Sequence, residues 1–139
     1  MCDLEDRAIT EGLKIHVRNV TRNAVLADAA EIADTSAKRR TGLLKHTSLE
    51  PGDGLWIIPC EAIHSFGMKF AIDVLYLDRK DKVKKVRPEM VPGRISGCLT
   101  AHSVLELPAG TIARTTTEPG DQLEITKLIT EAGAPTAGD

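Results

Sequence analysis

Aromatic residues make up only 3% of this 139-residue sequence. So few leave little for stacking on nucleic-acid bases, and the core volume has to come from Leu, Ile, Val and Ala. Neither sign of charge is in excess: 18 Lys and Arg face 20 Asp and Glu, a formal net charge of -2. That excludes a global basic field for nucleic acid or anionic membrane. No apolar run reaches the ~18 residues of a membrane span. Cysteine is scarce, with three residues. An odd, low count is not a disulfide framework, and Cys2 reads as incidental. There is no phosphate-cradling glycine loop and no nucleotide fingerprint; Gly52, Gly54 and Gly120 read as turn residues. Internal repeats and low-complexity segments are missing too. Residues 1–12 are acidic and polar, unlike a signal peptide, so a cytoplasmic protein is the expectation.

What remains is ordinary globular material, 42% hydrophobic and 27% charged, in a length that suits one domain with a sizeable core. The expected domain covers residues 13–128, between flexible tails at 1–12 and 129–139. Leu13, Ile15 and Val17 alternate with Lys14, His16 and Arg18, the pattern of a half-buried strand. Ala24–Leu26 reads as its hairpin return. The alanine-rich 27–33 stretch fits helix or strand equally. Asp34-Thr35-Ser36 is an N-cap cluster for a short helix over Ala37–Leu44, with Gly42 a weak point in it. Turn chemistry at Leu49–Gly54 precedes a buried strand at Leu55–Ile58.

The chain is organised around Pro59–Asp78. Ile63–Phe66 is a short extended piece. Phe70–Leu77 is the central strand, with Phe70, Ile72, Val74 and Tyr76 on one face and Ala71, Leu75 and Leu77 on the other. Only Asp73 interrupts the second face. Lys82–Val86 is its hairpin partner, and Arg87–Gly97, with two prolines and two glycines, reads as a loop and a pocket rim. Ser103–Leu107 is another buried strand. Thr111–Thr115 fits strand or short helix, and Leu123, Ile125 and Lys127 continue a last strand. Seven or eight short strands and one short helix predict an all-β sandwich or barrel.

Candidate chemistry falls into two groups. Cys60 and His64, and Cys98 and His102, repeat one Cys-x3-His spacing and could supply a zinc site, a redox pair or a thiol nucleophile. On extended chain, however, residues four apart are roughly 13 Å apart, so each pair needs a bend. The second group is Asp73 and Glu106, carboxylates inside apolar strands. A buried carboxylate is costly unless paired, and Arg40, Arg94 and His64 are the expected partners. The pair then forms either a structural ion-pair hub or the polar floor of a small-ligand pocket.

The residues Arg40-Thr-Gly-Leu-Leu, Gly54-Leu-Trp-Ile and Pro59-Cys-x-x-Ile-His-Ser-Phe-Gly-Met-x-Phe-x-Ile-Asp-Val come in a telling order. Val104-Leu-Glu-Leu-Pro-Ala-Gly and Gly120-Asp follow them. This series resembles the bacterial and archaeal family called domain of unknown function 192, across roughly residues 14–126. Many members look different in the middle, with Trp-Met-x-Asn-Thr before the Ile-Asp strand, so Cys60 and His64 are not general family features. Arg40, Gly42, Asp73, Glu106 and Gly110 are shared. The resemblance implies a compact β-sandwich similar to a jelly roll, and implies no cofactor or activity. Three functions stay open. The first is a non-enzymatic module binding a sugar or carboxylate through His64, Asp73, Arg94, Glu106 and Arg40. The second is a thiol enzyme or a redox or metal site at Cys60, His64, Cys98 and His102. The third is a structural domain with an unknown protein partner.

Overall fold

The computed structural model describes residues 13–129. The expectations for the two tails and for Cys2 lie outside the described residues, except that the last strand reaches Ile129. Strand β1 (Leu13–Asn19) turns back into β2 (Ala24–Ala33) as expected. The ambiguous alanine stretch is strand. It pairs antiparallel with β1 on one side and parallel with β3 (Leu55–Ile57) on the other. Two hydrogen-bonded neighbours override the helical preference of alanine.

Thr35 caps the helix α1 (Ser36–Thr41), its side-chain oxygen accepting the Lys38 N–H at 3.1 Å. The helix stops before its expected end. Gly42 adopts φ +50°, and its N–H closes the last turn on the Lys38 carbonyl. A side chain there would be strained. Thr35→Ala should cost about 1 kcal/mol in a urea titration. A loss below ~0.3 kcal/mol would mean that tertiary contacts, not the cap, hold α1.

The remaining strands are β4 (Ala62–His64), β5 (Ile72–Leu77), β6 (Val83–Met90), β7 (Ile95–Gly97), β8 (Ser103–Pro108) and β9 (Leu123–Ile129). A second short helix, α2 (Thr111–Thr115), settles the other ambiguity. Seven strands form one mixed sheet in the order β6-β5-β8-β3-β2-β1-β9, and β4 and β7 pair apart as a two-stranded ribbon. The large sheet curls until its edge strands touch at one end, through a bridge between Lys82 and Gln122. It does not close into a barrel, and the mostly-β expectation holds.

The expected loop over Arg87–Gly97 is mostly strand. Residues 87–90 extend β6, and β7 takes up 95–97. Pro88 misled the reading, yet β6 is an edge strand, where a missing N–H is tolerated. A bulge accompanies it, with Ile72 opposite Met90 but Val74 opposite Arg87.

The central strands β5 and β8 are buried on both faces. Ile15, Leu26, Leu75, Leu77, Leu105 and Leu107 fill the inside of the curl with α2 packed against them. Ile72, Val74, Tyr76, Val104, Leu55 and Ile57 form a second core on the outer face. The two faces expected for the central strand are those seen. Each fully buried Leu or Ile contributes roughly 1.5–3 kcal/mol. Gly54 lets the loop before β3 lie on this sheet: a Cβ there would meet the Glu106 carbonyl and Leu107 Cδ2, both at 3.0 Å.

Candidate functional site

The two strand carboxylates do not share a site. Glu106 stands opposite Val74 in the β5–β8 ladder, and Asp73 stands opposite Leu107. Opposite residues share a face. Glu106 therefore points to the outer core and Asp73 to the inside of the curl. A hub uniting them is excluded by strand parity.

Asp73 is fully buried and paired with backbone, not with an arginine. Its Oδ1 accepts the Glu89 N–H at 2.8 Å, and its Oδ2 accepts the Ile112 N–H at 2.7 Å. The first bond pins the β6 bulge, where Glu89 holds φ +49°. The second fixes α2. Asp73 thus clasps the backbone of β6 and α2 together from the inner face of the sheet.

Arg94 also lies elsewhere. It is exposed, and its backbone joins Ser65: its N–H donates to Ser65 Oγ at 2.9 Å and its carbonyl accepts the Ser65 N–H at 2.8 Å. This clasp steadies the base of the β4–β7 ribbon.

Glu106, Arg40, His64 and Cys60 do converge. With Arg39 and Ile63 they line a cleft of about 390 Å³ between α1 and the segment leading into β4. Glu106 is 5% exposed. It sits among Val74, Leu55 and their neighbours on the outer core face, and among the described residues no donor reaches its carboxylate. Burial alone pushes its pKa up to about 7. Arg39 stays near the rim, making long contacts to the Ile58 carbonyl at 3.4 Å and Ser36 Oγ at 3.5 Å. Arg40 is exposed and makes no hydrogen bond or ion pair among the described residues. His64 is held by its own ribbon: its Nδ1 accepts the Phe66 N–H at 3.2 Å and its ring stacks on Phe66 at 5.3 Å.

Cys60 and His64 share this cleft, and Cys98 does not line it. Cys60 Sγ donates to the Ala62 carbonyl at 3.2 Å, and Cys98 Sγ lies 3.4 Å from Thr100 Oγ1. Both thiols are free. Burial pushes the Cys60 thiol up, and the Glu106 charge adds to that. His102 acts through its backbone, donating its N–H to the Leu77 carbonyl and accepting that of Cys60. His102 also lines a shallow hollow with Cys60, Glu61 and Arg79. No group of three His, Cys, Asp or Glu residues is placed to hold a metal among the described residues.

In the sequence Arg39 is visible only within the basic run Lys38-Arg39-Arg40, and Tyr76 only as an apolar position on one face of the central strand. The Tyr76 hydroxyl is buried opposite Ser96, and neither hydroxyl makes a regular hydrogen bond. Its signal was the shared parity of Ile72, Val74 and Tyr76. Across α1 lies a second cleft of about 450 Å³ carrying Lys14, Lys38, Lys45 and His46. Its lysine charges ride on long side chains that can reach water, so it makes a smaller demand for a ligand than Glu106 does.

The family model DUF192, described as an uncharacterized ACR, matches residues 17–125. The chain belongs to this family. No curated protein matches it. Two solved structures are similar in fold. One is a protein of unknown function from Novosphingobium aromaticivorans DSM 12444, at 22% identity and TM-score 0.69, over 80% of this chain and 83% of that one. The other, from Sinorhizobium meliloti 1021, is provisionally described as a transcription regulator. It shows 22% identity and TM-score 0.71, over 81% of this chain and 92% of that one. At this identity the likeness shows the fold alone.

Proposed function

We propose that this member of the DUF192 family is a non-enzymatic small-ligand-binding domain, and that its ligand occupies the Glu106 cleft. The observation that carries the reading is the Glu106 carboxylate itself, 5% exposed and without a donor among the described residues. A buried carboxyl without a partner is costly. It makes sense where a bound molecule supplies the missing partner. The cleft combines apolar walls at Ile57 and Ile63 with a few convergent polar groups, the usual make-up of a ligand pocket. Arg39 and Arg40 favour a ligand with an acidic group, because a guanidinium presents a planar fork to carboxylate or phosphate.

The thiol reading has less support. Burial keeps the Cys60 thiol protonated, and its hydrogen bond goes to a carbonyl rather than to a histidine base. A nucleophilic cysteine needs the opposite environment.

The test is a screen of small carboxylates, sugar acids and amino acids, followed by backbone amide NMR. Binders should move the signals of Gly42, Ala62 and His64. Arg40→Ala should weaken an acidic binder by about tenfold, or ~1.4 kcal/mol. A screen in which no compound moves these amides, or in which every binder maps to another surface, removes the reading.

A further inference from the structure

We infer that the ligand of this cleft is a compact zwitterion, with an ammonium group on Glu106 at the floor and a carboxylate or phosphate on Arg39 and Arg40 at the rim. The inference rests on the reading above and names the class of molecule that the cleft would take.

Opposite charges line the same cleft and leave one another alone. No ion pair joins Glu106 to Arg39, Arg40 or His64, although arginine side chains are long and the cleft is only about 390 Å³. Arg39 leans on the Ile58 carbonyl and Ser36 instead. The two charged ends thus stay available and separate. A singly charged ligand satisfies only one of them. A plain carboxylate or sugar acid answers the arginines but brings negative charge towards Glu106. A plain amine answers Glu106 and leaves the guanidinium rim unused. A molecule with a cation at one end and an anion at the other matches both.

Size and walls agree with this. The volume lies at the lower end of the ~300–1,000 Å³ typical of ligand pockets. Ile57, Pro59, Ala62 and Ile63 add apolar lining to the same cleft as the charged groups, suited to a short aliphatic spacer. An amino acid, an ω-amino acid or a phosphorylated amine has this build. Binding would also move a proton. Burial pushes the Glu106 carboxyl up to about 7, and an ammonium group beside it favours the ionised form. Glu106 then gives up its proton to solvent as the ligand enters.

Calorimetric titrations test this with glycine, leucine, β-alanine, γ-aminobutyrate and phosphoethanolamine. Each is run beside its N-acetyl counterpart and, where it has a carboxylate, its amide. At least one zwitterion should bind tenfold or more tighter than either singly charged analogue. At pH 7 its apparent enthalpy should differ between phosphate and Tris buffers, because a proton is released. Glu106→Gln, verified as folded by its thermal transition, should abolish that buffer dependence. An N-acetyl acid or a sugar acid that binds as tightly as the best zwitterion overturns the inference and leaves the cleft reading standing. If nothing in the earlier screen moves the cleft amides, both fall together.

Discussion

Asp73→Ala is expected to destabilise the protein by roughly 3–6 kcal/mol. Each hydrogen bond to a charged group is worth about 1.5–3 kcal/mol, and two are lost. The carboxylate is fully buried and accepts from Glu89 and Ile112, so alanine strands two backbone N–H groups at once. Neither has an evident substitute. Glu89 is locked in a bulge at φ +49°, and Ile112 is packed against the inner core. Asp73→Asn should do part of the same damage, since it keeps one acceptor and turns an NH2 donor towards an N–H. The check is a urea titration of each variant with amide hydrogen exchange. Protection should be lost first at Glu89 and Ile112. A loss under ~1 kcal/mol for the alanine variant would show that water reaches both amides and that the clasp is dispensable.

Asp73 and Glu106 show what could be read in advance. Both are carboxylates inside apolar strands, and that much is visible in Ala-Ile-Asp-Val-Leu and Val-Leu-Glu-Leu. The faces of Ile72–Leu77 follow from period two alone, and the structure keeps them, although Phe70 and Ala71 precede β5. The opposite orientation of the two carboxylates depends on register, which pairs Val74 with Glu106. Register is a tertiary fact that no single strand carries. The alanine stretch in β2 was ambiguous because alanine fits either structure, and pairing on both sides decided it. The Cys-x3-His spacing at Cys60 straddles the start of β4, with His64 at its end, and both residues line one cleft. Arg40 and Glu106 line one cleft, whereas Arg94 lies apart and bonds Ser65 through its backbone, a separation that depends on the ribbon and not on any one segment of sequence.

Glu106→Gln should make the protein more stable than its parent at alkaline pH and nearly equal to it in acid. The sign follows from linkage. Glu106 titrates at about 7 in the fold against an ordinary 4.5. Between these values the folded state holds a proton that the unfolded chain has lost. Stability therefore falls as pH rises across that window. The parent should lose about 2–3 kcal/mol from this group between pH 5 and pH 8. The glutamine variant should be free of that component, so the difference between the two proteins should grow steadily with pH. The opposite behaviour is expected at Asp121. Burial alone would raise its pKa, but Arg22, Asn19 and the Glu118 N–H together hold it below the ordinary range. Its contribution is present at neutral pH and is lost as the pH falls through its depressed pKa. Urea titrations of parent and Glu106→Gln at pH 5, 6, 7 and 8 separate the two, because Asp121 is common to both proteins and drops out of the difference. A constant difference across the series would mean that Glu106 already has a partner within the protein. A difference that widens with pH identifies a carboxylate that the fold alone leaves unsatisfied. Stability is then sacrificed at one position on the cleft floor, which is where a bound donor could restore it.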